Sequence, residues 1–311
     1  MSRYSKCAAL MGAVLMAITL QAQSIVTDAA PGLSMTSKSA RPGISCGRKM
    51  PCRLLRGVSE REYTIYLPGS YATDTLRSYP VLYLLHGGGL SHSDFEQNCN
   101  LSGIADSLAV CGAIADMIIV TPEANRDNMM YFNTTEGRAG APDWQYEDFF
   151  FREFIPYIES NYRVRTDRGG RAIGGFSMGG GAATVYGLHH PEMFAMVYDI
   201  SGYQRPFPLE FLKTDPSAPW RQQAVADNNP IETILSGSAA QTAAWRQVDW
   251  KIAVGDRDFT LEMNMDLAKA LRGKEIPFAM YVDAGDHDHR WVTPVLADLL
   301  RRASRHFSRR F

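Results

Sequence analysis

The hydrophobic positions of this chain fall into two rhythms. Short runs rich in β-branched and aromatic residues recur along it: EYTIYLP (62–68), YPVLYLLHG (79–87), DMIIVTPE (116–123), RAIGGFS (171–177), AMVYDISG (195–202), DWKIAVGD (249–256) and FAMYVDAG (278–285). Several are apolar almost without a break, the pattern of strands covered on both faces of a parallel sheet. Between them, apolar residues recur at helical spacing in QYEDFFFREFIPYIESNY (145–162), MGGGAATVYGLHH (178–190), TLEMNMDLAKALRGK (260–274) and TPVLADLLRRASRHF (293–307). Pro156 predicts a kink in the first of these, and Gly273 a cap for the third. Alternation of this kind predicts an α/β fold: a mostly parallel central sheet with helices on both faces.

Two stretches break the rhythm. Residues 23–55 contain Ser, Gly and Pro without clear periodicity and read as an irregular N-terminal segment ahead of a main domain over 56–311. Residues 203–247 separate two strands by far more than an ordinary connection and predict a lid-like insertion.

The first 22 residues do not read as part of the fold. MSRYSK is a short basic region, CAALMGAVLMAITL is an apolar run too short to span a bilayer, and Ala22 offers a small residue for cleavage. This predicts a signal peptide over 1–22 and a secreted or periplasmic protein, since no second apolar run of spanning length follows. Four cysteines remain beyond it: Cys46, Cys52, Cys99 and Cys111. Cys46 and Cys52 are spaced to close a small loop. Cys99 and Cys111 flank a predicted helix, whose ~1.5 Å rise per residue puts them beyond disulfide reach.

Composition adds little beyond exclusions. The 311 residues are 45% hydrophobic and 21% charged, with a net charge of −1, so nothing electrostatic points to nucleic acid. The basic ending RRASRHFSRRF reads as the solvated face of a last helix.

The chemistry gathers where strands end. GFSMG (175–179) fits G-x-S-x-G, with a strand before it and a small-residue helix after it. Gly175 and Gly179 let the strand turn sharply, leaving the Ser177 hydroxyl at the apex of a strained bend. A serine needs a base to take its proton, and the base needs an orienting acid. In hydrolases with this elbow the chain order is serine, acid, histidine. IAVGDRDFT and YVDAGDHDHRW place such groups just beyond two strand ends, the edge where α/β sheets bind ligands. Spacing leaves Asp256 and Asp258 both open as the acid, and His287 and His289 both open as the base. A metal reading of the H-x-H pair lacks a third ligand at partner spacing. An oxyanion needs two fixed N–H donors. Met178, after the serine, predicts one, and the Gly87–Gly88–Gly89 loop after His86 predicts the other. His86 reads as a brace for that loop, and His189 and His190 as the charged end of a helix. Gly89, Trp144 and Trp291, with Tyr131, are candidates for substrate contact.

In combination, YPVLYLLHGGG, EDFFFREFIPYIESNYRV, RAIGGFSMGGGAA, IAVGDRDF and GDHDHRWVTPVL resemble the putative-esterase family of α/β-hydrolases. That family includes esterase D, feruloyl and acetylxylan esterases of carbohydrate esterase family one, siderophore esterases and mycolyltransferases. The resemblance covers about residues 56–311. It implies an α/β-hydrolase fold and places the acid on Asp258, in GDRD, and the base on His287, in GDHDHRW. It also puts the second oxyanion donor on Gly88. His289 stands where relatives often carry an aromatic residue. The implied activity is a serine esterase needing no metal or organic cofactor, acting on feruloyl or acetyl esters of plant cell-wall polysaccharide. Rival readings are a siderophore trilactone esterase, an acyltransferase, and a non-catalytic carbohydrate-binding protein on the same fold. The implied partner is an acylated polysaccharide or oligosaccharide, with neither nucleic acid nor a membrane span.

Overall fold

The computed structural model describes residues 41–124, 131–208 and 213–308. The expected signal peptide and the start of the expected irregular segment lie outside them.

Strands β1 (Ile44–Pro51), β2 (Glu60–Leu67), β3 (Val81–Leu85) and β4 (Ile118–Pro122) open the order. A small hairpin follows, β5 (Asn133–Thr134) with β6 (Trp144–Gln145). Then come β7 (Arg171–Phe176), β8 (Met196–Ile200), β9 (Asp249–Gly255) and β10 (Phe278–Asp283). The large sheet runs β1-β2-β4-β3-β7-β8-β9-β10. From β4 to β10 all neighbours pair parallel, and only β1–β2 and β2–β4 are antiparallel. Each apolar run found in the sequence is a strand of this sheet.

Strand alternation divides the core. In β3, Val81, Tyr83 and Leu85 face one apolar cluster and Leu82 and Leu84 the other. Because side chains alternate with a period of two, a fully apolar strand is what two covered faces require. Helices α1 (Asp94–Cys99) and α2 (Leu101–Val110) contribute Phe95, Leu101 and Leu108 to the second cluster. Helices α3 (Tyr146–Phe149) and α4 (Ile155–Asn161) feed Phe149, Ile155 and Ile158 into the first. Between them, Phe150–Phe154 forms a π-helical turn, so Pro156 falls in the first turn of α4, where its missing N–H leaves no bond broken. Helix α5 (Met178–His189) is buried almost all round against β3, β7 and β8.

The expected lid-like insertion over 203–247 is corrected by its packing. It holds α6 (Ala218–Asp227), α7 (Pro230–Ser236) and α8 (Ala239–Trp245). Ile234 and Trp245 are buried in the first cluster, and the Trp245 indole donates to the Leu188 carbonyl. Helices α7 and α8 are therefore part of the body of the fold. Among the described residues of 203–247, Arg205 and Phe207 line the cavity described below. Helices α9 (Leu261–Gly273) and α10 (His289–Phe307) complete the layers, α10 beginning ahead of the predicted 293–307.

The N-terminal segment is also corrected. Within 23–55, Ile44–Pro51 is a strand paired along its whole length with β2. It is an edge strand carrying Arg48 and Lys49 on a largely exposed surface, so it lacks the apolar signal of its neighbours. Cys46 lies within β1 and Cys52 just after it, and a strand rising ~3.3 Å per residue holds them too far apart to bond. All four described cysteines are free thiols. Among the described residues no helix is long and apolar enough to cross a membrane.

Candidate active site

Strand β7 ends at Phe176 and α5 begins at Met178, so the whole reversal falls on Ser177. Its backbone takes φ 57° and ψ −117°, a left-handed state that costs a non-glycine residue ~1–3 kcal/mol. Neighbouring bonds hold it there: Ser177 N–H donates to the Ile200 carbonyl at 2.9 Å, and its carbonyl accepts from Tyr203 and Gly181. A Cβ on Gly175 would overlap the Gly179 carbonyl, and one on Gly179 the Leu85 carbonyl. Only glycine permits this approach of strand, elbow and helix.

The side chain of Ser177 meets an imidazole from far along the chain. His287 Nε2 lies 2.8 Å from Ser177 Oγ, and His287 Nδ1 lies 2.9 Å from each carboxylate oxygen of Asp258. Asp258 sits in the loop after β9, His287 in the loop after β10. The Asp258 side chain is wholly buried, and His287 is partly exposed. Asp258 Oδ1 also accepts from Thr260 N–H at 2.8 Å and from the Thr260 hydroxyl at 2.7 Å. Burial alone would raise the Asp258 pKa, but the hydrogen bond and charge of His287, with Thr260 and Ser201, hold it below the usual range. An ionised acceptor behind Nδ1 fixes the proton there and leaves Nε2 as the base facing Ser177. The imidazole also touches two rings, Phe259 at 4.4 Å and Phe176 at 4.7 Å between centroids.

The competing residues go elsewhere. Asp256 accepts from Gly285 N–H and pairs with Arg257 at the surface. His289 Nε2 faces both oxygens of the buried Asp94, at 3.0 and 3.1 Å, tying the start of α10 to α1. His287 and His289 thus diverge and do not share a ligand position.

The glycine loop after β3 lies against the elbow. A Cβ on Gly87 would stand 3.4 Å from Ser177 Cβ, and one on Gly88 3.9 Å from the Met178 side chain. Met178 opens α5, so its N–H belongs to the first turn, where donors have no intrahelical partner. Gly89 takes φ 75°, which only glycine adopts freely. His86 braces the loop: Ala124 N–H donates to Nε2 at 3.1 Å, so Nδ1 carries the proton and donates to the Gly87 carbonyl at 2.9 Å. Burial pushes its pKa down and keeps the ring neutral. His189 and His190, at the far end of α5, share Glu147 Oε1 at 2.8 and 3.3 Å. Burial works against ionised Glu147, yet these two imidazoles bring its pKa down to about 2.

Three aromatic candidates are corrected. Trp144 is buried at 4% exposure under the Arg61 guanidinium, 5.6 Å from its ring. Tyr131 is fully buried and donates to the His86 carbonyl. Trp291 is buried on α10, stacked on Tyr281 and donating from Nε1 to Ser201 Oγ at 3.1 Å. Besides Phe176, two aromatic residues near the site, Phe207 and Phe259, stand beside the loop of Asp258. They line a cavity of about 450 Å³ with Arg205, Arg257, Asp258 and Glu262. Sequence reasoning missed both, and adjacency of Phe259 to Asp258 was the only available signal.

The chain is similar to known proteins. The family model described as Putative esterase matches residues 58–306. Esterase Rv1288 of Mycobacterium tuberculosis is 31% identical over 224 residues, 63% of this chain and 47% of that protein. The endo-1,4-beta-xylanase/feruloyl esterase of Xylanibacter ruminicola is 31% identical over 145 residues, 44% of this chain and 19% of that protein. The chain thus spans about half the length, or less, of these curated relatives. A solved ferulic acid esterase superposes with a TM-score of 0.78 at 34% identity, covering 86% of this chain and 99% of that one. Matched by the family model over most of its length, the chain belongs to the Putative esterase family of α/β-hydrolases.

Proposed function

We propose that this protein is an exported serine esterase that cleaves carboxylic esters through an acyl-enzyme. The observation that carries the reading is the 2.8 Å approach of Ser177 Oγ to His287 Nε2, with the Asp258 carboxylate on the opposite ring nitrogen. In this reading Ser177 Oγ attacks the ester carbonyl as His287 Nε2 takes its proton. The tetrahedral oxyanion is held by the N–H groups of Met178 and Gly88. The carbonyl–alkoxy bond then breaks, and His287 returns the proton to the departing alcohol. Water repeats the sequence on the acyl-enzyme, releasing the acid and restoring Ser177.

For the substrate we propose a feruloyl or acetyl ester of plant cell-wall polysaccharide. Support comes from the ferulic acid esterase and the xylanase/feruloyl esterase among its relatives. The cavity beside Asp258 also offers two phenyl rings, Phe207 and Phe259, against which a planar aromatic acyl group packs. Export rests on the basic and apolar segments of residues 1–22.

The test is Ser177→Ala, assayed on methyl ferulate, acetylated xylan and p-nitrophenyl acetate. Hydrolysis is expected to disappear with the circular-dichroism spectrum unchanged, and a fluorophosphonate probe is expected to label only the unaltered protein. Full activity of the alanine variant on all three esters would overturn the reading.

A further inference from the structure

Phe207 lies in the irregular stretch after β8 and lines the cavity beside Asp258. Its ring stands 5.8 Å from that of Phe259, which in turn stands 4.4 Å from the His287 imidazole. Pro206 and Pro208 flank it, and proline carries no N–H, so Phe207 supplies the only main-chain donor of the three.

That donor meets two side chains. Phe207 N–H points at the Tyr203 hydroxyl, 2.9 Å away, and at Gln222 Oε1, 3.3 Å away. The Phe207 carbonyl accepts from Gln222 Nε2 at 3.3 Å and lies 3.2 Å from the Tyr203 hydroxyl. Gln222 and Tyr203 also bond each other, with Nε2 donating to the phenol oxygen at 3.0 Å.

The pattern follows from what each group can do. A primary amide sets an acceptor and a donor side by side, so Gln222 meets both main-chain polar groups of one residue as a neighbouring strand would. The phenol oxygen receives two N–H groups and keeps one proton, for the Phe207 carbonyl or for Gln222 Oε1, each at 3.2 Å. Gln222 stands on a fixed support, because it belongs to α6, whose Trp220, Ala224 and Val225 are buried. We infer that Gln222 and Tyr203 are positioning residues for the acyl site: together they fix the main chain of Phe207 and so hold its ring beside Phe259 as a wall of the cavity. The inference rests on the proposed aromatic acyl group.

Fixing the wall in advance matters for affinity. A loose segment has to be ordered whenever an acyl group packs on it, and that ordering weakens binding. A clamp therefore favours esters whose acyl group touches the Phe207 ring and leaves small acyl groups indifferent. A role in folding alone would lower Tm and change both kinds of ester alike.

Two substitutions test the clamp. Gln222→Met keeps the length of the side chain and removes both hydrogen-bonding groups. Tyr203→Phe removes only the hydroxyl and keeps the ring facing Phe259. In each variant, KM for methyl ferulate is expected to rise about fivefold with kcat within about twofold, the scale of one lost hydrogen bond. KM for p-nitrophenyl acetate is expected to move far less. In a Phe207→Ala background the ring being held is gone, and Gln222→Met is expected to add nothing further on methyl ferulate. Equal changes on both esters, or an unchanged methyl ferulate KM in Gln222→Met, would overturn the inference. Phe207→Ala by itself tells the two readings apart. If it raises the methyl ferulate KM while Gln222→Met does not, the acyl site stands and the clamp falls. If it leaves the preference between the esters unchanged, the proposed aromatic acyl site falls and the inference falls with it.

Discussion

Ser177 Oγ and His287 Nε2 lie 2.8 Å apart although 110 positions separate the two residues. Two strand ends, those of β7 and β10, supply them, and parallel pairing through β8 and β9 brings those ends to one edge of the sheet. The contact is a consequence of topology, and the elbow strain at Ser177 is what aims the hydroxyl outward along that edge.

The first prediction concerns which proton His287 carries. In Asp258→Asn, an amide N–H₂ faces Nδ1, and the ring accommodates it by moving its proton to Nε2. The imidazole then donates to Ser177 and cannot accept its proton. Steady-state kinetics are expected to show kcat down by ~10⁴-fold with little change in KM. His289→Ala, which removes the contacts with Asp94 and the Phe176 ring, is expected to keep most of the activity.

A second prediction contrasts two glycines. A Cβ on Gly179 would run into backbone carbonyls of Leu85 and His86, which cannot rotate away. Gly179→Ala is expected to lose activity together with a large drop in Tm, read by thermal unfolding. Gly89 has open space around it but sits at φ 75°. Gly89→Ala is expected to cost ~1 kcal/mol, a Tm shift of a few degrees, with a larger proportional loss in kcat than in stability.

Much of this arrangement was legible in the sequence because parallel strands buried on both faces announce themselves as unbroken apolar runs. The elbow was legible because Gly175 and Gly179 flank a serine between a strand and a helix. Strand β1 was not, since an edge strand with Arg48 and Lys49 carries no such run. Choosing Asp258 over Asp256 from spacing alone was impossible: the two lie in one short loop, and its turn bonds decide which carboxylate points inward. Trp144 and Trp291 misled for a related reason. Aromatic identity does not encode the face of an element, and α10 begins early enough to turn Trp291 toward Ser201.

A third prediction follows from the ring beside the imidazole. Phe259 is partly exposed, touches His287 and Phe207, and lines the cavity. Phe259→Ala is expected to raise KM for methyl ferulate about tenfold, the loss of one aromatic contact. With p-nitrophenyl acetate, whose acyl group is too small to reach Phe207, KM is expected to move far less. Equal changes on both esters would assign Phe259 to His287 alone.

The last prediction concerns a carboxyl that takes no part in the proposed chemistry. Asp199, on β8, is fully buried beneath the first turn of α5. Gln204 donates to its Oδ2, whereas its Oδ1 and the Gln204 Oε1 have no hydrogen-bond partner among the described residues. Burial chiefly, with a smaller push from Asp258, raises its pKa to about 8, against the lowering effect of Gly202 and Thr184. The folded protein therefore holds a proton there that the unfolded chain releases near pH 4. Since the native state binds more protons between those values, stability is full below about pH 4 and is lost as pH rises toward 8. The slope is at most ~1.4 kcal/mol per pH unit. Asp199→Asn stays neutral throughout and supplies a donor to the unpaired acceptor on Gln204. Its Tm advantage over the unaltered protein is expected to grow from pH 5 to pH 8 and then level off, with kcat/KM nearly unchanged. A Tm difference independent of pH across that window would mean that Asp199 is already ionised in the fold.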